Sequence, residues 1–144
     1  MNKVLPDKWV RKAVYAVLNN IVVDTFTIPC YDSRVSGSVI PGHFILMTTQ
    51  TNQVQKSNKC EFSYESSILI DVITSYQSNG NTGDRLLADN IMDSVRNLTN
   101  NLVLDVSSGL TVINQTQDFP NDIVTITQNE NIFRKLMRLE LTIN

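Results

Sequence analysis

Residues 60–76 read CEFSYESSILIDVITSY, which is the clearest strand signal in the chain. Large side chains alternate with polar ones along this segment, and a period of two sends the two sets to opposite faces of a strand. The apolar set is Cys60, Phe62, Tyr64, Ile68, Ile70, Val72 and Tyr76. Because Leu69 and Ile73 interrupt the polar set, we expect both faces to be covered around the middle of the strand. The domain core covers one face, and a neighbouring subunit is one candidate for the other.

Further strands are predicted on both sides of this segment. Residues 44–54 are extended and lead into it through a turn at residues 55–59. The strand at residues 132–143 places one apolar set on a single face, namely Phe133, Met137, Leu139, Leu141 and Ile143. Shorter strands are predicted at residues 21–28, 102–106, 110–116 and 123–127, and an irregular loop is predicted at residues 29–42.

Two amphipathic helices are predicted, at residues 6–19 and 84–98, because apolar residues recur there at spacings of three and four. The order of elements along the chain is then helix, strands, helix, strands. Such an order is typical of an α+β layer rather than a doubly wound fold. The sequence therefore predicts a single α+β domain over residues 1–144, with a mainly antiparallel β-sheet and the two helices packed on one face.

The composition restricts the class of protein. The chain has 144 residues, of which 42% are hydrophobic and 18% charged, so it can bury one ordinary core. Its net charge of −2 argues against a dedicated nucleic-acid-binding protein, which needs a basic face. The longest apolar runs are interrupted by Asp24 and Asp71, and we therefore expect no membrane partner.

Catalytic and metal-binding patterns are weak in this sequence. His43 is the single histidine, and no Gly-x-Ser-x-Gly motif accompanies it. Cys30 and Cys60 lack the spacing of zinc or redox sites and are expected to be reduced, packed thiols. We therefore predict a protein that is not an enzyme and that uses no cofactor and no metal.

A basic group in the last predicted strand is the one charge feature that could carry a function. It consists of Arg134, Lys135 and Arg138, and alternation along the strand projects Arg134 and Arg138 to the same side. Three interpretations remain open. The group is a solvated surface, it faces the carboxylates of a partner protein, or it lines a channel that carries DNA.

The arrangement of elements resembles that of the tail-terminator and head-to-tail joining proteins of tailed bacteriophages, the group that includes the lambda tail terminator. The resemblance is carried by architecture and runs over nearly the full chain. Its parts are the opening helix at 6–19, the stretch Ile28-Pro29-Cys30-Tyr31-Asp32, the strand at 60–76, the helix at 84–98 and the closing strand at 133–143. No catalytic motif defines this family.

The resemblance implies a virion protein that is assembled in the host cytoplasm and forms a homo-oligomeric ring. Such rings are commonly sixfold, cap the tail tube or lie in the neck, and contact portal, adaptor or tail tube proteins. A short-tailed phage would use an equivalent ring, which could be twelvefold. The implied interface residues are Ser33 and Arg34 in the loop at 33–41, Asn79 and Asn81 in the loop at 77–83, and the basic strand face of Arg134, Lys135 and Arg138 for a lumen with non-specific DNA contact.

Two other functions compete with this interpretation. A monomeric adaptor module could bind a peptide by adding it as a strand to an exposed sheet edge. A small hydrolase could use His43. The adaptor predicts no self-assembly, and the hydrolase predicts loss of turnover on substitution of His43.

Overall fold

The computed structural model describes residues 4–33, 42–57, 62–77, 85–127 and 129–144. Within these ranges the chain forms two α-helices, eight β-strands and one turn of 3-10 helix. In chain order they are α1 (Asp7–Leu18), β1 (Ile21–Val23), β2 (Phe26–Ile28), β3 (Cys30–Asp32), β4 (His43–Ser57), β5 (Phe62–Gln77), α2 (Leu86–Thr99), the 3-10 turn (Val106–Ser108), β6 (Val112–Asp118), β7 (Ile123–Ile126) and β8 (Glu130–Ile143).

One large sheet organises these elements. Its strand order is β3-β4-β5-β8-β6, and β7 pairs with β8 on the same side as β6. All pairs in this sheet are antiparallel except β3 with β4, which is parallel. Strands β1 and β2 form a separate antiparallel hairpin. The predicted α+β fold with a mainly antiparallel sheet is confirmed.

Both helices pack on one face of the sheet, as the apolar stripes predicted. Helix α1 buries Val10, Val14 and Leu18, and helix α2 buries its stripe from Leu87 to Val95. These side chains form one hydrophobic core with the alternate residues of β5 and β8. The sheet residues in this core include Tyr64, Ile68, Ile70, Val72, Met137, Leu139, Leu141 and Ile143. Their period of two explains why the pattern at residues 60–76 and 132–143 predicted the inward face.

The predicted strand at residues 21–28 is wrong as a single element, because it is a hairpin. Asp24 and Thr25 both have positive φ angles, of 47° and 71°, and connect Val23 to Phe26. Two consecutive positive φ angles are typical of a tight two-residue hairpin turn. This turn usually contains Asn or Gly, so an apolar, β-branched segment with Asp-Thr at its centre gave no signal for it.

Two shorter segments also differ from the prediction. Residues 30–32 lie in the predicted loop but form β3, fixed by a bond from Ile45 N–H to the Pro29 carbonyl at 2.9 Å. Residues 102–106 were predicted as a strand but contain no strand. Asp105 explains this, because its carboxylate accepts a hydrogen bond from Ser107 N–H at 2.9 Å and favours a turn. That bond also lowers the pKa of Asp105.

The remaining elements agree with the predicted ones apart from their ends. Strand β4 extends to Ser57, three residues beyond the predicted end at Val54, and β6 begins two residues later than predicted. Neither α1 nor α2 is long and apolar enough to cross a bilayer, and these are the α-helices in the described part of the chain.

We predict that Leu139→Ala lowers the free energy of unfolding by about 2 to 5 kcal/mol, because Leu139 is fully buried at the centre of the core. Ile126→Ala is the matched control, since Ile126 is 74% exposed and its loss should change stability by less than about 0.5 kcal/mol. Chemical denaturation of both variants measures the difference. Equal effects would contradict the placement of β8 in the core.

Candidate functional site

The face of the sheet opposite the helices, here called the open face, is the candidate functional surface. It carries the side chains of β5 at alternate positions from Glu65 to Ile73 and those of β8 from Arg134 to Thr142. The regular elements in the described ranges lie in the sheet or on its helix side. The open face is therefore the surface of this sheet that no described helix or strand covers.

An ion pair lies near the centre of the open face. The guanidinium of Arg134 donates to both carboxylate oxygens of Asp71. Its Nε is 3.4 Å from Oδ1 and 3.1 Å from Oδ2, and its Nη2 also donates to Oδ2. Only 2% of the Asp71 side chain is exposed, against 38% of the Arg134 side chain. The hydrogen bond to Asp71 raises the pKa of Arg134. The pair places a buried negative charge beneath a partly accessible positive one.

Apolar side chains surround this pair. Phe44, Ile73 and Leu136 are 7%, 9% and 8% exposed, although they belong to the open face and lie outside the main core. The register brings them together, because Phe44 is opposite Ile73 and Leu136 is opposite Asp71. The aromatic ring of Tyr31 packs against Phe44 with the ring centroids 6.1 Å apart. Both faces of β5 are thus apolar around its middle, as Leu69 and Ile73 predicted from the sequence.

The other half of the open face is polar. Thr142 donates to Glu65 at 2.9 Å, and Thr116 donates to Glu140 at 3.3 Å. Arg138 is exposed and lies opposite Asp118 of β6. The open face therefore carries the carboxylates of Glu65, Asp71, Asp118 and Glu140 against the guanidiniums of Arg134 and Arg138.

Lys135 is separated from the two arginines of the predicted basic group. Its side chain lies on the helix side of the sheet, where Nζ is 3.0 Å from Asp89 of α2 and 3.4 Å from Asp122. These carboxylates raise the pKa of Lys135, with the hydrogen bond to Asp89 as the largest cause. Lys135 thus ties α2 to β8 within the subunit, whereas Arg134 and Arg138 share the open face as alternation predicted.

The loop residues of the predicted interface are described only in part. Ser33 follows β3, with a positive φ of 68°, and its N–H donates to the carbonyl of Met47 at 2.8 Å. Arg34, Asn79 and Asn81 lie outside the described residues.

His43 occupies an aromatic environment. Its ring centroid is 5.0 Å from that of Phe26 and 5.2 Å from that of Tyr76. No side chain among the described residues bonds to its Nδ1 atom, and burial lowers the pKa of the ring more than a hydrogen bond with the backbone of Gly42 raises it. A catalytic histidine is normally oriented by a hydrogen bond to that nitrogen. The surroundings of His43 therefore favour a packing role.

The thiol of Cys30 is free and buried, and burial raises its pKa to about 12. It is therefore a poor nucleophile at neutral pH. Cys60 lies outside the described residues. In the part of the chain that the structure describes, no three His, Cys, Asp or Glu side chains group in a way that could hold a metal ion.

We predict that Arg134→Met lowers the free energy of unfolding by about 2 to 3 kcal/mol, because it leaves the buried carboxylate of Asp71 without a counter-charge. Adding Asp71→Asn to this variant should recover part of the loss, as a double-mutant cycle would show. Arg85→Met is the control, since that guanidinium is 62% exposed and should contribute less than about 1 kcal/mol. A cycle with no coupling between Arg134 and Asp71 would contradict the pair.

The lowered pKa of His43 predicts how stability depends on pH. The folded state favours the neutral ring, whereas the unfolded chain takes up a proton below the ordinary pKa of 6.5. Stability should therefore fall as the pH drops through 6.5 towards the folded-state pKa. Melting temperatures at pH values from about 7.5 to about 5.5 would test this, and His43→Gln should show a smaller decrease over that range. Equal decreases in both proteins would contradict the burial of His43.

Comparison with known proteins gives a similarity of fold. No family model and no curated protein matches the chain. Among solved structures, a chain of the virion of a native gene transfer agent particle matches it with a TM-score of 0.63 and 14% sequence identity. The match covers 97% of this chain and 99% of that chain. The two chains therefore share a fold over nearly their whole lengths.

Proposed function

We propose that this chain is a structural protein of a phage or phage-like virion and acts by assembling with other protein copies. The observation that carries the proposal is the likeness of fold, over almost the full length of both chains, to a chain of a gene transfer agent virion. The packing of the partly buried His43 ring against Phe26 and Tyr76 and the unreactive thiol of Cys30 support a role other than catalysis.

More specifically, we propose a ring of six or twelve copies in the neck or at the end of the tail, in contact with portal, adaptor or tail tube proteins. The exposed side chains of the open face support this, because Arg138 and Glu140 offer polar contacts to a neighbouring copy, whereas the apolar centre is already buried within the chain. A ring requires two different patches on each subunit that meet head to tail. The open face and the edges of the sheet offer such patches.

For Arg134 and Arg138 we favour a protein partner over DNA. Asp71 already binds the guanidinium of Arg134, and further carboxylates share the open face. Their negative charge opposes the approach of a phosphate backbone, which needs unneutralised Lys and Arg side chains. Of the three interpretations of the basic group, a surface that faces the carboxylates of a partner protein is the one we favour, with the exposed Arg138 as the contacting residue.

We predict that purified protein, alone or with its virion partners, forms an assembly that contains six or twelve copies of the 16.2 kDa chain. Native mass spectrometry gives the number of copies.

Because Arg138 is exposed on the open face, Arg138→Glu should weaken assembly by roughly tenfold, or about 1.4 kcal/mol. Arg96→Glu makes the same change on an exposed position of α2 and should leave assembly intact. A persistent monomer that binds no virion component would refute the proposed function.

A further inference from the structure

Within the described ranges, strand β4 leaves most of its outer edge without a strand partner. It spans fifteen residues, His43–Ser57, but β3 pairs only with Ile45–Met47. The last bond of that pairing runs from Ser33 N–H to the Met47 carbonyl. From Thr48 onward, β5 on the inner side is the only described strand that pairs with β4. Among the described residues, no strand therefore pairs with the outer backbone groups of β4 beyond Met47.

Strand β6 forms the opposite edge of the sheet. Val112–Asp118 pairs with β8 on one side, and within the described ranges no strand pairs with it on the other. The sheet thus ends in two different edges, at β4 and at β6. Two different edges can meet only in a head-to-tail contact between copies, which is the kind of contact that closes a ring.

The edge strand β6 and residues 48–54 of β4 lie level with each other along the strand direction. The paired residues of β4, β5, β8 and β6 form rows across the sheet. In these rows β6 is level with the part of β4 that β3 does not cover. The top and bottom rows are Asp118–Arg138–Leu69–Thr48 and Val112–Ile143–Tyr64–Val54. A neighbouring copy placed beside the first, without any shift along the strands, would therefore bring its β4 against this β6.

The strand directions agree with such a contact. Each neighbouring pair from β4 to β6 is antiparallel, so β4 and β8 run one way while β5 and β6 run the other. Rotation about an axis parallel to the strands keeps these directions in every copy. It would place β6 antiparallel to the next β4 and keep the helices of all copies on the same side of the joined sheet.

The outward backbone groups also fall in the same rows. On β4, Ile45 and Met47 direct their backbone groups to β3, and the irregularity between Thr48 and Gln50 makes Gln50 and Asn52 the next outward positions. The N–H and C=O groups of these residues point away from β5.

On β6 the same reasoning starts from Thr111, which exchanges backbone hydrogen bonds of 2.9 and 3.0 Å with Asn144. The irregularity between Val112 and Asn114 makes Gln115 and Gln117 the outward positions. Through the paired rows, Gln115 is level with Asn52 and Gln117 with Gln50. The outward N–H and C=O groups of β6 would therefore face the outward N–H and C=O groups of the next copy's β4, as an antiparallel ladder requires.

Apart from Asp118 at the end of β6, the side chains along the two proposed edges are uncharged. No Asp, Glu, Lys or Arg occurs between His43 and Gln55 or between Val112 and Gln117. Proteins that stay monomeric commonly protect an exposed edge with charged side chains, Lys above all. Strand β4 carries two irregularities, but the stretch Gln50–Val54 between them is a regular ladder. The composition fits edges that are covered in the assembled state.

We propose that β6 of one copy pairs antiparallel with residues 48–54 of β4 in the next copy, so that a single sheet runs through the ring. The partner is a second copy of this chain. The inference rests on the proposed ring and identifies its subunit contact. Gln115 then exchanges backbone hydrogen bonds with Asn52 of the next copy, and Thr116 faces its Thr51.

Disulfide cross-linking tests this contact. In a Cys60→Ser background, Thr51→Cys and Thr116→Cys place two exposed thiols in the same row on the open face. Facing residues of an antiparallel pair have Cα atoms about 4.5 to 5.5 Å apart, within the range of a disulfide. Mild oxidation of the assembled protein should then link copies into covalent chains up to the full ring, seen on a non-reducing gel. The buried thiol of Cys30 should not interfere, because burial keeps it protonated.

The control pairs Thr51→Cys with Thr125→Cys. Thr125 is exposed on the open face of β7, but its row crosses β8 at Ile132, eight residues from the row of Thr116, or roughly 26 Å along the strand. This control should give no ladder of cross-linked copies. Cross-linking of both pairs to the same extent would indicate random collision and overturn the proposal.

A proline substitution gives an independent measurement. Because Asn52 N–H points outward, Asn52→Pro removes a group that the inter-copy ladder needs while leaving the backbone bonds to β5 in place. It also removes the side-chain bond that Asn52 accepts from Ser66 at 3.2 Å, and Asn52→Ala is the control that loses only this bond. The proline variant should keep its far-ultraviolet circular dichroism and lose assembly at least tenfold. If native mass spectrometry shows a ring, yet Asn52→Pro assembles normally and the Thr51–Thr116 pair does not cross-link, the edge contact is wrong and the ring stands. If the unmodified chain stays monomeric with its virion partners, the proposed function fails as well.

Discussion

The pairing of β5 with β8 is the constraint on which the rest of the structure depends. It runs without interruption from Tyr64 opposite Ile143 to Gln77 opposite Glu130, and joins segments far apart in the sequence. On one side it carries the apolar residues that anchor both helices. On the other side it holds Arg134 beside Asp71. The same register sets the height of β6 relative to β4, and therefore determines both what the faces carry and how the edges align.

Much of this architecture could be predicted from the sequence, because long elements repeat their pattern several times. The alternation at residues 60–76 and 132–143 and the helical stripes identified the two central strands, the helices and the inward face. The errors fall where a few residues decide the backbone. A turn at Asp24 and Thr25 with positive φ angles, a three-residue strand held by Pro29, and a turn fixed by Asp105 have no repeating signal.

The candidate surface was predictable only to the extent that it follows from a single strand. Alternation placed Arg134 and Arg138 on one face, and the same rule accounts for Lys135 on the other. The partner of Arg134 could not be predicted, because Asp71 lies 63 residues away and their meeting depends on how two strands are aligned. The edges of β4 and β6 that no described strand pairs with could not be predicted for the same reason, since they depend on strand order and register rather than on any local motif.

The place of β8 in the sheet has a consequence for how the protein is made. Strands β6 and β7 precede β8 in the chain, yet both reach the sheet only through it. On the ribosome, β6 therefore emerges before the strand on which it will lie. A chain still under synthesis holds β4 and β5 but cannot yet present β6 as a boundary of the sheet. If β6 and β4 of neighbouring copies pair as proposed, unfinished chains have the β4 edge without the β6 edge that it would meet, and assembly waits until translation has passed β8.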